Sequence, residues 1–172
     1  MRTHFLWAGA AAFTLAACSS TPPAPVQAHA QLQPIGGSGV TGSAKFVERP
    51  GGQLLVTARV EGLKPNASHG FHVHENGSCQ DNGNAAGPHF NPQGTPHGQY
   101  TAAQHHAGDL PSLQADSNGI ATVNVLTPNL SVTTGPKSVE SRALIVHADP
   151  DDYTSQPNGN AGARIACAVI AK

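Results

Sequence analysis

Apolar and polar residues alternate along several short stretches of this chain. Between residues 53 and 61, Leu54, Val56, Ala58 and Val60 alternate with Leu55, Thr57, Arg59 and Glu61, a two-residue period that puts one set on one face of a β-strand. The preceding "SAKFVE" joined through "RPGG" makes this a hairpin. "GIATVNVLT" (119–127), "RALIVHA" (142–148) and "ARIACAVI" (163–170) read as further strands. With 19 glycines and 14 prolines the chain is punctuated too often for long helices. Short strands with turn-rich connections predict an all-β antiparallel sandwich or barrel. One strand departs from the plain pattern. In "GFHVHE" (70–75), Phe71 and Val73 share one face, so His72 and His74 share the other. Two readings stay open from the hexapeptide alone: an edge strand with solvated imidazoles, or a pair of metal ligands on a rigid element.

Residues 76–118 have no sustained period and little apolar content to bury. A structureless loop of this length inside one domain needs another source of order. The segment carries Cys79, His89, His97, His105, His106 and Asp109, so metal and a disulfide could supply it. The rest of the composition sharpens the point. Of 172 residues, a length suited to one domain, only 11% are Asp, Glu, Lys or Arg, against about 25% in ordinary domains. The formal charge is −1 without basic runs, which argues against a nucleic-acid partner. Ten histidines, most of them between 69 and 106, are the compositional anomaly.

Together "GFHVHE", "GPHFNP", "HHAGDL", "IVHADPDD" and "GNAGARIACAVI", in that order, resemble the copper–zinc superoxide dismutases, specifically the bacterial secreted branch. The resemblance runs from about residue 31 to the C-terminus. It implies a flattened Greek-key β-barrel or sandwich, immunoglobulin-like in layout, with long metal-binding and electrostatic loops. Copper ligands are implied at His72, His74, His89 and His147, and zinc ligands at His89, His97, His106 and Asp109, with His89 bridging the two. Four imidazoles suit Cu(II), and three imidazoles with a carboxylate suit tetrahedral Zn²⁺. Asp151 matches the carboxylate that hydrogen-bonds the far nitrogens of His72 and His97. Arg164 matches the arginine that draws in the anionic substrate, and His89 the proton carrier. The implied reaction is disproportionation of superoxide to oxygen and hydrogen peroxide. A storage or structural module holding both metals is the alternative, but it would need the ligands and not Arg164. His105 and His106 are neighbours that composition cannot separate; the family spacing to Asp109 selects His106. His69 has the wrong parity for the His72/His74 face and reads as a hydrogen-bonded structural histidine, while His4 and His29 read as incidental. Asp149 and Asp152 read as solvated loop charges.

The N-terminus reads as a targeting segment. Arg2 and His4 precede "FLWAGAAAFTLAAC", too short to span a bilayer. Its end, "LAAC", resembles the lipobox of bacterial lipoproteins, with Cys18 as the lipidated residue; an ordinary secretory cut near "VQAHA" is the other reading. The expected layout is therefore a signal segment over 1–18, a Pro- and Ala-rich tether over 19–30 and a domain over 31–172. Setting Cys18 aside leaves Cys79 and Cys167, which an exported protein would join. The expectation is an exported chain on the periplasmic side of a bacterial membrane. Contact with the membrane would be only through the lipid anchor at Cys18. In a Gram-negative host, Ser19 beside it resembles an outer-membrane sorting signal. The mature domain would be a monomer or homodimer.

Overall fold

A computed structural model describes residues 24–172; Cys18 and the apolar run before it lie outside them. The strands are β1 (Gln27–Pro34), β2 (Thr41–Arg49), β3 (Gln53–Glu61), β4 (Ser68–His69), β5 (Phe71–His74), β6 (Leu113–Gln114), β7 (Ala121–Thr127), β8 (Ala143–His147) and β9 (Arg164–Val169). A single six-residue 3₁₀ segment, Asp81–Ala86, is the one helical element among the described residues. Seven strands form a curled antiparallel sheet in the order β5-β8-β9-β1-β2-β3-β7, and β4 and β6 pair separately. The out-of-sequence neighbours mark Greek-key crossovers of an all-β half-barrel.

The hairpin forms where the pattern places it. Arg49 pairs with Gln53 across the turn, and Gly51 and Gly52 both adopt positive φ, at 87° and 74°, a conformation open to glycine without a Cβ penalty. Leu54, Val56, Ala58 and Val60 are buried with Phe46, Phe71, Val73, Leu144 and Val146 in the main core. β8 is buried on both faces. Leu144 and Val146 face the main core, while Ala143 and Ile145 pack with Ala86 and Cys167 in a second, smaller cluster that also takes Ile35 and Cys79. A sheet covered on both faces gives such a run of buried residues.

One expectation needs correction. The tether assigned to 19–30 ends earlier, because β1 begins at Gln27. Ala28, Ala30 and Leu32 are buried and alternate with exposed Gln27, His29 and Gln31, and residues 27–32 pair with β2 while 33–34 pair with β9. His29 is therefore a strand residue of the domain. β1 holds the two halves of the sheet together.

Candidate metal centre

β5 delivers the first two imidazoles. Phe71 and Val73 are locked into the core, so His72 and His74 project to the other side, where loops bury them fully. β5 pairs with β8, whose last residue is His147. A register irregularity between Val146 and His147 sets His147 opposite Arg164, the first residue of β9. Irregularities of this kind re-aim side chains next to sites. The long segment supplies the rest. Phe90 N–H donates to Val73 O (2.8 Å) and Gly108 N–H to Phe90 O (2.9 Å), which lays His89 beside His74 and sets Asp109 opposite His72. Gly108 is required there, because a Cβ would strike the Val73 carbonyl and the Phe90 backbone.

Two groups result, sharing His89. His72, His74, His89 and His147 form one; His89, His97, His106 and Asp109 form the other. In each, the ligand-type atoms lie within 4.8 Å of one another, and every member is buried. The free atoms fit metal ions. The buried nitrogens His72 Nδ1, His89 Nε2, His97 Nδ1 and His106 Nδ1 have no hydrogen-bond partner, a costly state unless a cation satisfies them. His74 Nε2 and His147 Nε2 face each other at 3.3 Å. On the other side, Asp109 stands 2.8 Å from His89 Nδ1, 3.0 Å from His97 Nδ1 and 3.5 Å from His106 Nδ1. The opposite ring nitrogens are tied down. His74 Nδ1 meets Gly87 O at 2.8 Å, and Asp151 meets His72 Nε2 at 2.7 Å and His97 Nε2 at 2.8 Å. Such outer bonds fix tautomer and ring plane.

The electrostatics of the metal-free chain agree. Burial, with the neighbouring histidines, holds His74 and His147 well below the ordinary imidazole value. Burial and His72 lower His89 to about 4 against the pull of Asp109. All three stay neutral at pH 7, the state in which imidazole is a ligand. Burial would raise Asp109, but the close His106, His89 and His97 rings overcome it and hold the carboxyl far below its usual range. Burial lowers His97, yet Asp109 and Asp151 prevail and raise it to about 9. A proton thus sits between two carboxylates where a divalent ion would place its charge.

Beside the all-histidine group lies a cavity of about 200 Å³, lined by His74, His89, His147, Gln156, Asn160 and Arg164 among others. A larger groove, of about 360 Å³, lies around Lys45 and Arg59 on the outer face of β2 and β3, remote from these groups. The Arg164 guanidinium donates to Gly83 O and, at 2.7 Å, to Gly87 O. It has no carboxylate partner among the described residues. Cys79 and Cys167 are disulfide-bonded, which ties the segment carrying Gly83 and Gly87 to β9.

The sequence of the copper/zinc superoxide dismutase (SODC) family, as a family model, matches residues 40–170. The chain belongs to the copper/zinc superoxide dismutase family. It is 41% identical over 150 residues to superoxide dismutase [Cu-Zn] 2 of Aquifex aeolicus, covering 84% of this chain and 86% of that relative. Among solved structures it is similar to the clock protein EA4, with 33% identity, a TM-score of 0.78 and coverage of 86% of this chain and 94% of that one. It is also similar to a double mutant of a SOD-like protein from Bacillus subtilis, with 38% identity, a TM-score of 0.74 and coverage of 82% and 95%.

The structure brings His72, His74, His89, His97, His106, Asp109, His147, Asp151 and Arg164 together around one centre. His106, not its neighbour, faces Asp109; the His105 ring instead meets the His106 carbonyl (2.7 Å). His69 lies apart, its Nδ1 donating to His147 O at 2.9 Å. Sequence reasoning missed three participants: the Gly87 carbonyl, shared by His74 and Arg164; Arg142, which braces the strand ends; and Gln156. No local pattern marks them, since each acts on residues far away along the chain.

Proposed function

We propose that this chain is a copper- and zinc-dependent superoxide dismutase. The observation that carries the reading is the pair of complete, buried ligand groups sharing His89, one of them open to a cavity that holds Arg164. A fold by itself would not suffice, because function lives in the site. His72, His74, His89 and His147 would hold copper; His89, His97, His106 and Asp109 would hold zinc. When bound, copper supplies a one-electron redox couple and zinc, which has none, a fixed charge. Two superoxide ions and two protons become oxygen and hydrogen peroxide. Arg164 draws the anion into the cavity and hydrogen-bonds it. His89, held at Nδ1 on the Asp109 side, carries a proton at Nε2 and gives it to the reduced substrate. Asp151 keeps the His72 and His97 rings in the required tautomer. Metal analysis of the purified domain together with superoxide decay tests this. One copper and one zinc per chain with rapid decay is expected; a chain that takes up both metals and leaves the decay rate unchanged overturns it.

The reading extends to location. A signal segment ending at Cys18, lipidation of that cysteine and a position on the periplasmic side of a bacterial membrane are supported by the apolar run, "LAAC" and the disulfide. The tether is then short, since β1 starts at Gln27. Labelled palmitate should enter the chain and should not enter Cys18→Ala; labelling of that variant would refute the assignment.

A further inference from the structure

The loop joining β8 to β9 forms one wall of the cavity. Much of it is held only to itself. Asp152 bonds the amides of Thr154 (2.9 Å) and Ser155 (2.6 Å), Gly159 N–H donates to Ser155 O (2.8 Å), and Asp152 N–H donates to Gly159 O (2.9 Å). Among the described residues, only two hydrogen bonds connect residues 154–160 to anything outside this loop. Both come from one side chain. Gln156 Oε1 accepts the His97 N–H at 2.9 Å, and Gln156 Nε2 donates to the His97 carbonyl at 2.9 Å. The carboxamide thus grips both main-chain groups of a single residue, and that residue belongs to the Asp109 group. Gln156 also lines the cavity beside His74, His89, His147 and Arg164. The loop is seated closely at the same place. Gly159 lies at φ 65°, and a Cβ there would overlap Asp151 Oδ1 and His97 Nε2.

We infer that Gln156 is a positioning residue coupling the two halves of the centre: its paired bonds to His97 transmit order from the zinc-side segment to the wall past which the anion enters. The inference rests on the proposed reading of the two groups as copper and zinc sites. Its physical basis is the ordering entropy. A wall already fixed to His97 costs an incoming anion nothing further, whereas a free tip must be ordered on binding. Zinc fixes His97 and, through Gln156, residues 154–160. Without zinc the clamp grips a mobile partner, so losing the clamp matters less. Zinc removal and Gln156 substitution should therefore be strongly non-additive.

The test uses the copper-loaded chain with and without zinc, azide as the probe anion, and the copper(II) visible and EPR spectra as the readout. Gln156→Met keeps side-chain length and removes both bonds. With zinc present it should weaken azide binding about three- to tenfold, the net worth of about one ordinary hydrogen bond, while zinc content and the azide-free EPR spectrum stay as in the wild type. Without zinc, the two proteins should agree within about twofold, the remainder expected of a clamp without a fixed partner. Amide hydrogen exchange supplies a second measurement that needs no variant: zinc should increase protection at residues 154–160 of the wild type. Unchanged azide affinity in Gln156→Met, an equal loss with and without zinc, or no zinc effect on protection overturns the coupling. A chain that binds no copper(II) at the histidines overturns the underlying reading instead.

Discussion

Arg164 brings positive charge to the cavity without a neutralising partner. It is half-buried and held by two carbonyls, and burial lowers its pKa from the ordinary arginine value. A guanidinium so placed stays charged at any working pH. The bulk field opposes it. Arg2 is the one charged residue before Cys18, so a chain starting there keeps eight basic against ten acidic residues. An anion must be attracted locally, in a cleft that focuses the field. Arg164→Ala should retain both metals, lower the superoxide decay rate about tenfold and flatten its dependence on ionic strength. Pulse radiolysis at several salt concentrations reads both effects; a wild-type rate and slope would make Arg164 a bystander. Asp151 invites a second substitution. Each of its oxygens faces a ring nitrogen, at 2.7 and 2.8 Å, and an amide can offer only one acceptor. Asp151→Asn should weaken metal affinity about 10- to 100-fold, as losing such outer bonds does. Competition with a chelator measures it, and an unchanged affinity would contradict the tie.

Among the elements, one side chain braces the join that backbone hydrogen bonds make between β5 and the segment carrying His89. Arg142 Nη1 donates to Glu75 O (2.7 Å) and Glu75 Oε1 (2.9 Å), its Nε donates to Ser138 O (2.7 Å), and its Cζ lies 3.5 Å from the Phe90 ring centroid. Glu75 follows His74 and Phe90 follows His89, so the brace grips the chain next to two ligands. Arg142→Ala should cost about 2–3 kcal/mol in the denaturant-unfolding free energy, from charged hydrogen bonds and a cation–π contact. A loss under half a kcal/mol, in the range of an ordinary surface change, would exclude the brace. The Cys79–Cys167 bond closes a separation of 88 residues. In the chain-entropy model a loop of that size is worth about 4–5 kcal/mol, though measured values run nearer 2–4. The reduced domain should unfold at correspondingly lower denaturant, and coincident oxidised and reduced transitions would contradict this.

For the molecule as a whole, the metal-free chain should have a stability that peaks near neutral pH. His74, His147 and His89 are held below the ordinary value, so between that folded value and 6.5 the unfolded chain binds more protons. Their contribution is present above about pH 6.5 and is lost as pH falls, for His89 through about 4. His97 has the opposite sign. Raised to about 9, it contributes fully below the unfolded value and loses that contribution as pH rises through about 9. Unfolding midpoints of the metal-free protein across this range should therefore fall on both sides. The metal-loaded protein should not show the alkaline fall, because no proton is then needed between Asp109 and Asp151. A midpoint that stays level from pH 4 to 9 would show the histidines to be exposed.

The sequence by itself determined most of the scaffold and the identity of the site. The period-two runs became β3, β5 and β7, because packing one face into the core forces that period on a strand, and the short apolar runs became β8 and β9. The histidines and Asp109 were legible because imidazoles in number, set among few other charges, have little structural use. The expected tether runs past the start of β1 because Ala28 and Ala30 are weakly apolar and lie next to a Pro- and Ala-rich stretch. What only the tertiary structure decided is which groups meet at long range. His106 rather than His105 faces Asp109 because the loop turns at Gly108, whose Cβ-free backbone fits against Val73 and Phe90. The Gly87 carbonyl joins His74 to Arg164, and Gln156 grips a main chain 59 residues away. A hydrogen bond to a backbone group leaves no mark on the partner's residue type, so only the folded chain displays it.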